Sequence, residues 1–193
     1  MKQKALLEKY PDPAQFIYDY NPDLQFKLLR HNATHAELAM NTQIPSLGLL
    51  SASYGEETPL EWLKIQFGSL NDFAGTSTKI SREQLDELAW IFLSEYYYIN
   101  AAEICLFLAR FKAGKYGQFY GAIDPMKITA AMLSYVSERR KELRKQERKK
   151  QSQDREQEIA DRNSRGISYE QYLELKERAE RGDQEAIRLL TPP

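Results

Sequence analysis

Cysteine and histidine are scarce in this sequence, and their scarcity excludes several kinds of site. The 193 residues include one cysteine, Cys105, so neither an internal disulfide nor a thiolate zinc site can form. Its neighbours are apolar, and we expect the thiol to be buried and unreactive. The two histidines, His31 and His35, have no evident third ligand, and a predicted helix start at Thr34 separates them. We therefore expect no metal and no cofactor.

Long uncharged apolar runs are also missing. The most apolar stretch, residues 88–111, contains Glu95, Glu103 and Arg110, so it offers no run of about 20 residues that could span a bilayer. The first residues form no apolar segment of the kind that a signal peptide needs. We expect a soluble cytoplasmic protein with no membrane partner.

The net charge is close to zero, but the charges are unevenly distributed. The chain has 27 basic and 28 acidic side chains, for a net charge of -1. Residues 1–137 carry 12 basic and 15 acidic groups, residues 138–165 carry 11 and 7, and residues 166–193 carry 4 and 6. A polyanionic partner is therefore not excluded, although the acidic parts could also neutralise the basic segment internally.

Repeated helix-start signals predict an all-α fold. A capping side chain stands before proline at four positions: Asp12, Asn21, Thr58 and Asp124. Capping boxes begin at four positions: Thr34, Thr58, Ser81 and Ser168. Residues 85–111 carry apolar residues at helical spacing and are apolar nearly all round from Ala101 onward, as expected of one buried central helix or of a helix pair interrupted near Asn100, ended by Gly114.

The last third of the chain predicts a long charged helix followed by a short hairpin. No large apolar residue occurs between Leu143 and Ile159, and a helix over residues 126–162 would be roughly 55 Å long. We predict a compact multi-helix body (1–137), a protruding, highly charged basic helix or linker (138–165) and a terminal helical hairpin (166–193). Gly182 should end the first helix of the hairpin, and Asp183 should cap the last helical turn.

The sharpest feature is a run of cations between residues 139 and 150. At about 100° per residue, six of them share one half of a helix, here called the basic face: Arg140, Lys141, Arg144, Lys145, Arg148 and Lys149. Like charges four residues apart repel by roughly 0.2–0.5 kcal/mol per pair, a cost that a polyanion would relieve. We interpret the basic face as a phosphate-binding surface for DNA or RNA. The alternative is a solvated spacer helix.

Residues 110–121 form a second basic and aromatic segment. Lys112, Lys115 and Tyr116 are candidates for a further nucleic-acid contact, because backbone and stacking contacts need cations and aromatic rings together. The alternative is that Tyr116, Phe119 and Tyr120 pack this loop onto the core.

The tail has too few apolar residues to form a core alone. Those present indicate a surface for a protein partner: Tyr169, Leu173, Ile187, Leu189 and Leu190.

No catalytic constellation is visible in the sequence. Glu83, Glu87, Glu95 and Glu103 lack the Glu-x-x-His pattern of carboxylate-bridged di-iron bundles, and we expect all four to lie on an exposed stripe. Serine or cysteine nucleophiles paired with histidine are not evident either. We expect a protein without enzymatic activity.

Three segments carry a family resemblance: Pro45-Ser46-Leu47-Gly48, Trp62-Leu63, and the glycine and aromatic block at residues 111–125. Together they resemble an uncharacterised family of small proteins from Bacteroidetes genomes, phages and mobile elements, over about residues 40–140. That family has no assigned activity, so the resemblance implies no residue roles. A setting in mobile DNA favours a nucleic-acid partner.

One hypothesis leads, with alternatives of a different class. The protein would be a non-enzymatic accessory of phage or mobile-element nucleic-acid transactions that binds phosphates through the basic face. Alternatively, it is a protein–protein adaptor or an assembly component, in which the charged helix is only a solvated spacer. The sequence leaves the oligomeric state open.

Overall fold

A computed structural model describes residues 2–75, 79–117, 123–166 and 168–190. Within these ranges the chain forms eleven helices and no strand beyond one antiparallel bridge between Ser46 and Asn100. The predicted all-α fold is confirmed. Two of the predicted loop residues, Phe119 and Tyr120, lie outside the described ranges.

The helices follow one another with short connections. In chain order they are α1 (Gln3–Lys9), α2 (Pro13–Asp19), α3 (Asp23–Arg30), α4 (His35–Met40), α5 (Leu47–Tyr54), α6 (Glu57–Ala74), α7 (Arg82–Glu95), α8 (Ala101–Lys112), α9 (Pro125–Arg165), α10 (Tyr169–Glu180) and α11 (Gln184–Leu190). The chain divides into two compact units, Met1–Arg144 and Lys145–Pro193. The three-part division expected from the charge pattern stays a prediction.

Most helices begin where their capping residues predict. The Asp12 side chain accepts a 2.8 Å hydrogen bond from the N–H of Ala14 at the start of α2. Full capping boxes are present at Thr34, Ser81 and Ser168. These side chains satisfy backbone N–H groups that have no partner inside the helix.

The predicted start at Thr58 is wrong. Gly55 ends α5 with a φ of 85°, and the chain re-enters a helix at Glu57, so Thr58 already lies inside α6. The N–H of Leu60 donates to the Glu56 carbonyl at 3.2 Å, which leaves the Thr58 side chain with no capping role. Pro59 fits the first turn because its missing N–H would have had no partner there.

Helix α8 is the centre of the first unit, as predicted. Every side chain from residue 101 to residue 109 is buried, and α8 packs against α3, α4 and α6. Asn100 caps it, accepting from the N–H of Glu103 at 3.0 Å and donating to the Leu38 carbonyl at 2.8 Å. Cys105 is fully buried in this helix, and burial raises the pKa of its thiol.

The long helix predicted over residues 126–162 is present as α9. It begins after Asp124, whose side chain accepts a 2.9 Å hydrogen bond from the N–H of Met126. Its first turns bury Ile128, Met132 and Tyr135 in the first unit. From residue 144 to residue 163 all side chains are exposed.

The second unit contains the predicted helical hairpin. Helices α10 and α11 pack against each other. The turn between them contains Gly182 with a φ of 88°, and Asp183 accepts from the N–H of Glu185 at 3.0 Å. Arg178 holds Asp183 in place through a 2.6 Å ion pair. No helix in the described ranges is long and apolar enough to cross a membrane.

Candidate nucleic-acid interface

Exposed cations and partly buried charged groups lie on different sides of α9 where it leaves the core of the first unit. Glu138, Arg139 and Glu142 are partly buried, whereas three cations on the other side are exposed. We call these three the cationic triplet: Arg140, Lys141 and Arg144. A helix turns by about 100° per residue, which places residues 138 and 142 opposite residues 140 and 144.

Glu138 is held by two cations of the first unit, Lys115 and Arg110, and lies beside the His35 ring. Its carboxylate lies 2.6 Å from Lys115 Nζ, 3.3 Å from His35 Nε2 and 4.0 Å from Arg110 Nη1. The pKa of Glu138 is lowered: burial alone would raise it, but the hydrogen bond and charge of Lys115 lead the opposing effects. The charge of the ionised carboxylate is therefore balanced by cations of the first unit.

Glu142 binds the start of α4. Its carboxylate accepts a 3.0 Å hydrogen bond from the backbone N–H of His35, the first residue of that helix. An acidic group is favourable there, because the first N–H groups of a helix point outward without partners. This bond connects α9 to α4, although the two residues are 107 positions apart in the sequence.

His35 is buried between charged groups. Its ring lies 4.5 Å from the Tyr135 ring, centroid to centroid, and its Nε2 contacts the Arg110 guanidinium. Burial lowers the pKa of His35, and the positive charge of Arg110 lowers it further. His35 is therefore neutral at pH 7, with Nε2 accepting from Arg110.

Glu103 does not lie on an exposed stripe, so that expectation is wrong. Its side chain is 1% exposed and accepts a 2.5 Å hydrogen bond from Arg139 Nε. Burial raises the pKa of Glu103, and the Arg139 hydrogen bond opposes this effect. The sequence pattern failed here because the partner cation comes from 36 residues further along the chain. Glu83, Glu87 and Glu95 are exposed, as expected.

The cationic triplet is left without an ionic partner. Arg140, Lys141 and Arg144 are exposed, and none forms an ion pair with any acidic side chain in the part of the chain that the structure describes. The acidic groups closest in sequence, Glu138 and Glu142, are occupied elsewhere. Internal neutralisation of the triplet is therefore not observed among the described residues.

The remaining cations of the basic face belong to the second unit. Lys145, Arg148 and Lys149 are exposed on α9. Within the described ranges they too make no ion pair with an acidic side chain.

A cleft of about 500 Å³ lies beside the cationic triplet, within the first unit. The triplet and Leu133 line one side of it, and Glu95 and Tyr98 line the other. The Tyr98 ring is 38% exposed, and the Arg139 guanidinium lies over it at 5.7 Å from the centroid. Arg139 therefore binds Glu103 and also positions Tyr98.

Sequence reasoning missed Tyr98 and Glu95 as candidate site residues. A signal was present, since Tyr96, Tyr97 and Tyr98 stand together directly after α7. A helical pattern accounts for only one of them, Tyr96, which is buried while the other two are exposed. Adjacent exposed aromatic residues at the end of a helix indicate a binding surface.

Lys112, Lys115 and Tyr116 all have internal partners. Lys112 Nζ donates to Ser69 Oγ at 2.9 Å and lies 5.5 Å from the Phe26 centroid and 5.8 Å from the Phe73 centroid. Burial lowers its pKa. Lys115 binds Glu138, as described above.

Tyr116 packs against the core, its ring centroid 5.9 Å from that of Phe107. Burial raises the pKa of Tyr116 to about 12. The alternative interpretation of this loop, in which Tyr116 packs it onto the core, is confirmed for Tyr116.

The tail residues predicted to bind a partner lie on α10 and α11. Tyr169 and Leu189 are 75% and 67% exposed, Leu173 and Ile187 are also exposed, and Leu190 is half-buried. Only Ala186 is buried in this hairpin among its described residues.

A family model matches residues 78–183, which is more than half of the chain, and its description is "Family of unknown function (DUF6633)". The chain belongs to this family. The DUF6633 match begins later than the expected resemblance and continues through α9 into the turn after α10, so it includes Tyr98 and the cationic triplet. Comparison with curated proteins and with solved structures gives no match.

Proposed function

We propose that this DUF6633 protein binds the phosphate backbone of a nucleic acid through the exposed cations of α9. It would act as a non-enzymatic accessory protein in nucleic-acid transactions of phages or mobile elements. The observation that carries the proposal is the cationic triplet, whose three charges are exposed and unpaired among the described residues. The resemblance to proteins of phages and mobile elements agrees with it.

The arrangement of charge on α9 supports a polyanion over a solvated spacer. A helix that only needed solubility would gain from pairing its cations with its own acidic residues three or four positions away. Here Glu138, three positions before Lys141, binds Lys115 instead, and no acidic residue lies three or four positions from Arg140. Clustered cations attract phosphates and gain further stabilisation when counterions are released.

Lys112, Lys115 and Tyr116 are not part of this proposed surface. Their internal contacts with Ser69, Glu138 and Phe107 would have to break before they could reach a ligand. Lys145, Arg148 and Lys149 belong to the second unit and stay predicted phosphate contacts on the strength of the sequence pattern alone.

Fluorescence anisotropy with a labelled oligonucleotide at low salt tests the proposal. The variant Arg140→Gln/Lys141→Gln/Arg144→Gln should bind at least tenfold more weakly than the wild type, because several phosphate contacts are lost together. A matched control, Lys27→Gln/Arg30→Gln/Lys79→Gln, removes three other exposed charges of the first unit. The proposal is overturned if the wild type does not bind, or if the control loses as much affinity as the triplet variant.

The hairpin of the second unit favours a second candidate function, a protein-binding adaptor. Tyr169, Leu173 and Leu189 expose large apolar surfaces in a unit of few apolar residues. A Tyr169→Ser/Leu189→Ser variant should lose captured partners while nucleic-acid affinity stays unchanged. Capture that is identical for the wild type and this variant would remove the adaptor function from consideration.

A further inference from the structure

The cleft beside the cationic triplet is lined by three kinds of group: cations, an aromatic ring and a carboxylate. This inference rests on the proposed function and adds which form of nucleic acid is bound. Arg140, Lys141 and Arg144 line one side of the cleft, and Tyr98 and Glu95 line the other. A volume of about 500 Å³ falls within the range of small-molecule sites.

We propose that this cleft binds a single strand of DNA or RNA, with an unpaired base stacked on Tyr98 and the neighbouring phosphates on the cationic triplet. Proteins that bind single strands combine a positively charged groove with aromatic side chains on which bases stack. Both elements are present on one cleft of the first unit. The cations alone would serve a duplex equally well, so Tyr98 is the residue that selects the single strand.

Tyr98 is held in a suitable position by its neighbours. The Arg139 guanidinium lies 5.7 Å from the ring centroid, and Arg139 is fixed in turn by the buried Glu103 carboxylate. The Tyr97 ring meets Tyr98 edge-on, at 5.7 Å and 89°. A ring that is already ordered loses little conformational freedom when a base stacks on it.

Glu95 determines which part of the nucleotide each side of the cleft receives. Its carboxylate is exposed and would repel a phosphate, so the phosphates are directed to the α9 side. The base is directed to the side of Tyr98, where the carboxylate can accept from a base amino group. In a duplex the bases are stacked on each other and cannot reach Tyr98 without being unpaired.

Anisotropy titrations with a 12-nucleotide single strand and with the duplex of the same sequence test the inference. The wild type should bind the single strand more tightly. Tyr98→Ala should weaken single-strand binding by about 5- to 150-fold, the range expected for one stacked base, and leave duplex binding unchanged. Tyr98→Phe keeps the stacking surface and should bind like the wild type. Tyr18→Ala, which removes an exposed tyrosine outside the cleft, is the matched control.

The outcomes separate this inference from the proposed function. If neither oligonucleotide binds the wild type, both fail. If both bind but Tyr98→Ala has no selective effect on the single strand, or Tyr98→Phe loses as much affinity as Tyr98→Ala, only the single-strand inference fails. A nucleoside monophosphate added as competitor should not displace the strand at equal concentration; displacement would identify a free nucleotide as the ligand and overturn the inference.

Discussion

The buried carboxylate of Glu103 accepts a 2.5 Å hydrogen bond from Arg139 Nε, and this ion pair joins α8 to α9. Because the two partners are fixed, the rotation of α9 about its own axis is fixed as well. Arg139 faces inward, so Arg140, the next residue, is turned outward by about 100°. Together with the buried side chains Ile128, Met132 and Tyr135 of the same helix, the pair turns the cationic triplet toward solvent.

Removing one partner of this pair should be strongly destabilising. Arg139→Ala leaves the Glu103 carboxylate buried without a counter-charge, and we expect a loss of about 3–5 kcal/mol in the free energy of unfolding. Urea denaturation followed by circular dichroism measures it. Arg140→Ala is the matched control, and it should change stability by no more than about 0.5 kcal/mol because it is exposed and unpaired.

Replacing both partners at once should restore most of the lost stability. The double variant Glu103→Gln/Arg139→Met removes both charges and keeps an oxygen that can accept from the N–H of Asn100, so no buried charge is left without a partner. Equal losses for Arg139→Ala and Arg140→Ala would contradict the buried ion pair.

Stability should fall in mild acid because of His35. The pKa of His35 is lowered in the folded protein, mainly by burial and then by Arg110, so the unfolded chain takes up a proton at a higher pH. The contribution of neutral His35 to the free energy of unfolding is complete above the ordinary histidine pKa of about 6.5. As pH falls below that value, the free energy of unfolding decreases by at most about 1.4 kcal/mol per pH unit. Glu138 acts in the same direction at lower pH, since its pKa is also lowered. Glu103, whose pKa is raised, acts in the opposite direction.

Comparison with a histidine variant isolates the His35 contribution. The difference in unfolding free energy between the wild type and His35→Gln should shrink between pH 7 and pH 5.5. A constant difference for His35→Gln would contradict the buried neutral histidine.

The Asn100 cap should contribute more to stability than an exposed cap does. Asn100→Ala removes the cap of α8 and also the 2.8 Å hydrogen bond to the Leu38 carbonyl, which then accepts only from the N–H of Asn41. We expect a loss of about 1.5–2.5 kcal/mol, from about 1 for the cap and about 0.5–1.5 for the lost hydrogen bond. Ser81→Ala removes a solvent-exposed cap and should cost only about 1 kcal/mol. Thermal unfolding of the two variants side by side gives the comparison, and equal losses would be the contrary result.

Local chemistry made the helices predictable from the sequence. Caps such as Asp12, Thr34 and Ser168 satisfy backbone groups of their own helix, so a few neighbouring residues determine each start. The exception at Thr58 has the same origin, because the cap signal was present but the preceding turn at Gly55 began the helix earlier. The basic face was likewise visible, since helical spacing alone groups its six cations.

Tertiary contacts decided the rest and could not be predicted from local patterns. Glu103 resembles any exposed acid until Arg139 is brought beside it, and Glu142 finds its partner in the N–H of His35, 107 positions away. The cleft requires the end of α7 to meet α9. Tyr98 consequently became a candidate only once the fold had placed it opposite the cationic triplet.

The salt dependence of oligonucleotide binding tests the central claim, that cations of α9 contact phosphates, most directly. The measurement is the slope of log Kobs against log salt concentration for the wild type, the triplet variant Arg140→Gln/Lys141→Gln/Arg144→Gln and the control Lys27→Gln/Arg30→Gln/Lys79→Gln. Each phosphate contact on a single strand adds about 0.7 to the steepness, so loss of three contacts should make the slope shallower by about 2. The control should keep the wild-type slope. A triplet variant with the wild-type slope, or a wild type whose binding does not depend on salt, would contradict the account.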